Sequence, residues 1–200
     1  MSKIRGRSSP ELRAPLGLDS GCNSQLKWRQ GETVMSIIPG RMTDSHTGPL
    51  VVFLIGMRIN HFHKVGRWWP VFRAMGPMIR ELSRNPESGF LGTEFALCSP
   101  RQILLLQYWR DFDSLEAYAR NRDAQHWPAW TAFNRRIGND GTVGIYHETY
   151  VVAAGAHETV YGNMPPFGLG RVSGLVPATG SRNAARERMR AGSGAFADDA

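Results

Sequence analysis

The sequence predicts an α+β fold of the split βαβ type, a ferredoxin-like plait with a four-stranded antiparallel sheet. Three observations carry that expectation. Segments of two-residue apolar period alternate with segments of helical period in the order β-α-β-β-α-α-β. No internal repeat of about 20 to 50 residues is visible. A chain of 200 residues with 42% hydrophobic content suits one domain around one core.

The first strand is Leu50 to Ile59, in which Val51, Phe53, Ile55, Met57 and Ile59 fall on one face and Val52 and Leu54 on the other. Being apolar on both faces near its start, it needs cover on both, and the helices of a plait cover only one. A second copy of the same sheet is expected to cover the other, giving a homodimer. Next, Trp68, Val71, Phe72, Met75, Met78, Ile79 and Leu82 form a helical stripe, with Pro70 near its start and Gly76-Pro77 expected to kink it. Gly89 to Cys98 and Gln102 to Trp109 read as a hairpin turned at Ser99-Pro100-Arg101. Asp113-Ser-Leu-Glu116 has capping-box spacing and opens a helix that turns Leu115, Tyr118 and Ala119 inward. A further helical stretch from about Asp123 to Ile137 aligns His126, Trp130, Phe133 and Ile137, with Pro128 tolerable in its first turn. Thr142 to Val152 closes the order as a strand, alternating Val143, Ile145, His147, Thr149 and Val151 against Gly144, Tyr146, Glu148 and Tyr150.

Residues 1–33 and 173–200 are rich in Ser, Gly, Arg and Pro and lack apolar periodicity. They are expected to be a mobile N-terminal segment and a disordered basic C-terminal tail around a domain at 34–172. Much of the net charge of +7 lies in these ends, in Lys3, Arg5, Arg7 and Arg13 and in Arg182, Arg186, Arg188 and Arg190. No helix-turn-helix, RNP or zinc-finger pattern accompanies the charge, so nucleic acid is not the expected partner. The longest apolar run, Leu50 to Met57, is too short to span a membrane, and Met1-Ser-Lys-Ile-Arg-Gly-Arg7 has no apolar signal core. Cys22 and Cys98 lack a C-x-x-C spacing. These features predict a cytoplasmic protein in a reducing compartment.

The absence of G-x-G-x-x-G, P-loop, G-x-S-x-G and H-E-x-x-H patterns disfavours nucleotide-dependent and serine-hydrolase chemistry. His46 and His157 lie in turn-like contexts and read as surface residues. His61 and His63 have an i, i+2 spacing that can hold a metal from a strand, without a third ligand nearby. His126 heads an aromatic helix face, where a buried imidazole needs a hydrogen bond or a ligand bond. His147 shares a strand face with Val143 and Ile145, an apolar setting that favours the neutral ring. Three readings stay open for the pair: structural histidines, two catalytic histidines without metal, or an axial haem ligand (His126) with a distal acid/base (His147). Arg58, with Asn60 on the same side, is a candidate for binding substrate or a haem propionate, and an ion pair with Glu148 or Glu94 is the alternative. Tyr108 and Trp109, with Trp130 of the second helical stretch, can line an apolar pocket or simply pack.

The runs Val52-Phe-Leu-Ile-Gly-Met-Arg-Ile-Asn60, Gln107-Tyr-Trp-Arg110, Leu115-Glu-Ala-Tyr-Ala119, Gly144-Ile-Tyr-His-Glu-Thr-Tyr150 and Tyr161-Gly-Asn-Met-Pro-Pro-Phe-Gly-Leu169 resemble the monooxygenase-like family of the dimeric α+β barrel superfamily. That family includes a fungal monooxygenase of fumagillin biosynthesis. The resemblance covers about Ile37 to Gly170. It implies a homodimeric oxidoreductase, a monooxygenase of secondary metabolism acting on a hydrophobic small molecule. A second, weaker similarity, carried by His126 and Tyr146-His147-Glu148, is to haem-containing aldoxime dehydratases. It implies haem b on His126 with His147 as distal acid/base, and hence dehydratase chemistry or non-catalytic haem binding; the catalytic serine of that pattern has no recognisable counterpart.

Overall fold

A computed structural model of the chain describes residues 36–124, 127, 131, 133, 135 and 140–193. His126 and Trp130 lie outside the described residues. The elements are β1 (Ile38–Asp44), β2 (Leu50–Ile59), α1 (Val65–Arg84), β3 (Phe90–Ser99), β4 (Gln102–Trp109), α2 (Phe112–Arg120), β5 (Val143–Val152), β6 (Tyr161–Met164), α3 (Gly168–Ser173), β7 (Leu175–Pro177) and α4 (Ala185–Gly192). Trp127, Thr131, Phe133 and Arg135 are helical.

Four strands form an antiparallel sheet in the order β3-β4-β2-β5, and β6-β1-β7 form a second, three-stranded sheet. The first is the expected plait, with the two central strands made by the most apolar segments. Pairing is continuous along β2, with Val51 opposite Trp109 and Val151, and Met57 opposite Ile103 and Ile145. Side-chain alternation therefore sends Val51, Phe53, Ile55, Met57 and Ile59 to one face together with Trp109, Gln107, Leu105 and Ile103. On that face α1 and α2 pack. One cluster, Val51, Leu82, Phe90, Trp109 and Leu115, closes the end nearest α2. A second, Met57, Ile59, Ile103 and Val143, closes the opposite end beneath Trp68, Val71, Phe72 and Met75. Trp109 is wholly buried. Phe90 meets it edge-on at 5.3 Å, so its truncation to alanine is of the class that costs about 3–5 kcal/mol.

Four expectations are corrected. First, the outer face of the sheet is partly covered by the chain itself: Leu169 and Val172 of α3 pack on Leu50, Tyr108, Val52 and Leu106. A second copy is therefore not required to bury the start of β2. Second, residues 175–193, expected in a disordered tail, carry β7 and α4, and Arg188 is buried there among polar partners. Buried polar pairing leaves no apolar period to read. Third, α1 begins at Val65, three residues before the first apolar position of the stripe, with Pro70 and Pro77 inside it. Fourth, the cap of α2 is Asp111, whose carboxylate accepts the Ser114 N–H at 2.6 Å, in place of the Asp113 box. Two acidic residues two positions apart offer the same local signal, and the one in extended backbone takes the role.

Gly56 is required on the outer face, where an added Cβ would lie 2.5 Å from the Ile103 carbonyl oxygen and from the Tyr146 ring. No helix among the described residues is long and apolar enough to cross a membrane.

Candidate functional site

The two clusters on the helix face do not meet. Between them lies a cavity of about 1080 Å³, floored by β2, β4 and β5 and walled by α1 and α2. That is at or above the upper end of the usual range for small-molecule sites. Its wall from α1 is aliphatic and thioether: Val71, Ala74, Met75, Met78, Ile79 and Leu82. They recur at helical spacing because they are the same stripe that the sequence displays. Phe53, Ile55, Leu105 and Trp109 supply the floor, and Phe112, Tyr118, Trp127 and Phe133 add aromatic surface.

The polar groups of this lining are few. Gln107, His147 and Thr149 rise from the floor, while Arg67 of α1 and Glu116 of α2 stand among the helical residues. The Tyr118 hydroxyl donates to Glu81 at 3.3 Å, and burial first, then the Glu81 charge, pushes its pKa up. Gln107 is buried, and its Oε1 accepts the indole N–H of Trp109 at 3.0 Å. His147 is opposite Ile55 in register and lies beside Phe53, with ring centroids 5.7 Å apart. Its ring is exposed where the sequence suggested an enclosed apolar setting, because β5 is an edge strand.

The sequence candidates therefore divide. His147 and Trp109 line the cavity. Arg58 does not: it is exposed on the outer face, donating to the Gln102 Oε1 at 3.3 Å, and neither Glu148 nor Glu94 is its partner. Asn60 is also exposed and caps the start of β5 by donating to the Gly141 carbonyl. Tyr108 points to the outer face, packed with Leu50 and Leu169. Its burial, chiefly, with the charges of Tyr161 and Glu94, pushes its pKa up to about 12, so it is a packing residue that stays protonated. His61 and His63 are exposed, 5.8 Å apart edge to face, and the described residues hold no group of three His, Cys, Asp or Glu fit for a metal.

His157 corrects its surface assignment. It is largely buried, and its Nε2 donates to Asp44 Oδ1 at 3.3 Å. Gln107 is the cavity residue that sequence reasoning missed. Its signal was present: a lone polar side chain on the inward period of Ile103-Leu-Leu-Leu-Gln-Tyr-Trp109.

Comparison with known proteins fixes the family. The model of the family described as Monooxygenase af470-like matches residues 50–169, from β2 to the start of α3. The chain belongs to the monooxygenase af470-like family. Monooxygenase af470 of Aspergillus fumigatus is 30% identical over 133 residues, an alignment covering 62% of this chain and 46% of that protein. This chain thus spans about half the length of the curated relative it matches. Among solved structures, an aldoxime dehydratase in complex with butyraldoxime superimposes with a TM-score of 0.54 at 13% identity, covering 84% of this chain and 48% of the other. That likeness is one of fold. SnoaB, a cofactor-independent oxygenase from Streptomyces nogalater, aligns with a TM-score of 0.37 at 12% identity over 50% of this chain and 90% of its own. Within the span matched by the af470-like family lie the whole plait, the cavity, His147 and Gln107.

Proposed function

We propose that this member of the monooxygenase af470-like family is an oxidoreductase that inserts one oxygen atom of O₂ into an apolar small molecule held between the sheet and the two helices. The observation that carries the reading is the cavity itself. About 1080 Å³ of mainly aliphatic and aromatic surface, with a handful of polar groups, suits a large, mostly apolar ligand. His147 is assigned as the acid/base. An imidazole facing the cavity can take a proton from a carbon acid, and the carbanion so formed can reduce O₂ directly. A methylene group is converted to a carbonyl, one oxygen atom staying in the product and the other leaving as water with the two hydrogens. No external reductant enters that balance. Trp109 and the α1 stripe hold the ligand and exclude water; Trp130 is retained as a candidate contact from the second helical stretch. A role in secondary metabolism goes with the family reading.

The donor set bears on haem. The described lining offers one imidazole, His147, and Arg58, the candidate propionate partner, is on the other face of the sheet. His126, the iron ligand of the haem assignment, lies outside the described residues, and no step is routed through that group. We also infer a homodimer, since α3 covers only one end of the outer face and Tyr150 remains half exposed beyond it. Light scattering is expected to return about twice the 22.3 kDa chain mass, and a monomer at micromolar concentration contradicts it.

Incubation of the purified protein with ¹⁸O₂ and a panel of apolar carbon acids, followed by mass spectrometry, tests the reading. Gain of one ¹⁸O with loss of two hydrogens is expected, and His147→Ala should lower the rate by about 10²-fold or more. A Soret band on adding haemin that His126→Ala abolishes would replace this reading with the haem one.

A further inference from the structure

On the cavity floor one row of side chains differs from its neighbours. In register across the sheet, Thr93 of β3 lies opposite Gln107 of β4, Gln107 opposite Phe53 of β2, and Phe53 opposite Thr149 of β5. All four point to the helix face. The row on one side is Phe90, Trp109, Val51 and Val151, and the row on the other is Phe95, Leu105, Ile55 and His147. Gln107 is the buried polar residue of this row, with Thr93 beside it and Thr149 beyond Phe53.

The Gln107 amide is oriented by its neighbour. Trp109 Nε1 can only donate, so the atom 3.0 Å from it is the amide oxygen, and the amide nitrogen is turned away from it. Among the described residues nothing accepts from that nitrogen, although the side chain is 6% exposed and lines the cavity. Its cross-strand neighbour Thr93 has a buried Oγ1 without a hydrogen-bond partner among the described residues. An amide N–H that opens on the cavity with no acceptor from the chain is available to the acceptor of a bound molecule. The indole N–H takes up the oxygen of the Gln107 amide and so leaves its NH₂ to the cavity.

We propose that Gln107 is the specificity-determining residue of the cavity, donating to an oxygen acceptor of the ligand, and that the ligand is an apolar molecule bearing a carbonyl or enolate oxygen. The inference rests on the cavity being the substrate site. His147 lies one row along and two strands over, on the order of 12 Å between Cα atoms from ordinary strand spacings. A fused-ring ketone that reaches both places its oxygen on Gln107 and its far edge near the imidazole. A ligand without the acceptor leaves the amide N–H unpartnered and is rejected on that account, whatever its shape.

The test uses two probes of the same outline, 2-acetylnaphthalene and 2-isopropenylnaphthalene, in which a methylene replaces the ketone oxygen. The wild-type chain is expected to bind the ketone about tenfold or more tightly than the alkene. The infrared carbonyl stretch of the bound ketone is expected to move to lower wavenumber, as hydrogen-bond donation requires. Gln107→Leu should bind both probes alike and return the stretch to its unbound position. Since that variant leaves the Trp109 N–H without an acceptor, the double variant Gln107→Leu/Trp109→Phe removes both ends and should give the same result, while Trp109→Phe alone keeps the preference for the ketone. Equal binding of the two probes to wild type overturns the inference and leaves the cavity reading standing. A preference that survives in either folded Gln107 variant overturns it too. If neither probe binds, the cavity reading falls and the inference with it.

Discussion

Buried polar groups are handled in opposite ways on the two sides of this molecule. Around the three-stranded sheet they are paired. Asp44 accepts from the His46 N–H, from Thr159 Oγ1 and from His157. Arg188 meets Glu158 at 2.7 Å and donates to the carbonyls of Arg182 and Asn183. Glu94 binds the Gly168 N–H at 2.7 Å and Arg171 at 2.8 Å, pinning α3 to the outer face at a residue whose φ of +58° favours glycine. His157 Nδ1 is the orphan of that region. On the cavity side the polar groups of the floor instead face open volume. The difference teaches which groups build the fold and which are available to a ligand, because an unmade buried hydrogen bond is tolerated where another molecule completes it.

If that contrast holds, the largest stability loss comes from the paired side. Asp44→Ala strands three donors and is expected to cost about 2–4 kcal/mol by denaturant unfolding. The carboxylate also sets an acid limb. Burial alone would raise its pKa, but hydrogen bonds from His157 and Thr159, the His157 charge and the His46 N–H together hold it below the ordinary aspartate value. A depressed folded value means that its contribution is complete above about pH 4 and is lost as pH falls through the folded value. Asp44→Asn should therefore flatten the stability profile below about pH 4.

Glu94→Ala comes next, at about 1–3 kcal/mol, since the Gly168 N–H stays buried while Arg171, half exposed, recovers water. Loss of α3 from the outer face should show as faster amide exchange at Gly168 to Gly170. Asp111→Ala should cost about 1 kcal/mol, the worth of a helix cap, on its melting curve. Smallest of all, His147→Ala is expected to change unfolding stability by no more than about 0.5 kcal/mol, despite its effect on turnover. A stability loss at His147 as large as that at Asp44 would erase the distinction between the two sides.

The plait was legible because burial on one face imposes a period. Val51 to Ile59 and Val143 to Val151 alternate, and the α1 stripe repeats at helical spacing, so β2, β5 and α1 could be placed to within a few residues. The small sheet was not, since β1, β6 and β7 are short and are held by Asp44, Thr159 and Arg188, whose partners lie more than a hundred positions away in the case of Asp44 and Thr159. At the site, His147 and Trp109 are on the strand parity that faces the cavity. Arg58 and Tyr108 are on the opposite parity of their strands; parity was readable, but which parity faced the cavity was settled only by where α1 and α2 dock.

The central claim is that the volume beneath α1 is the ligand site. Ala74 lines that volume from the middle of the helix, and Ala74→Trp projects an indole into it. Calorimetric titration with 2-acetylnaphthalene measures the consequence. The account predicts that the variant keeps its fold, with unfolding stability unchanged or raised by about 0.5–2 kcal/mol as partial cavity filling allows, and binds the ketone with altered affinity. Unchanged affinity in a folded Ala74→Trp protein would place the ligand elsewhere and contradict the claim.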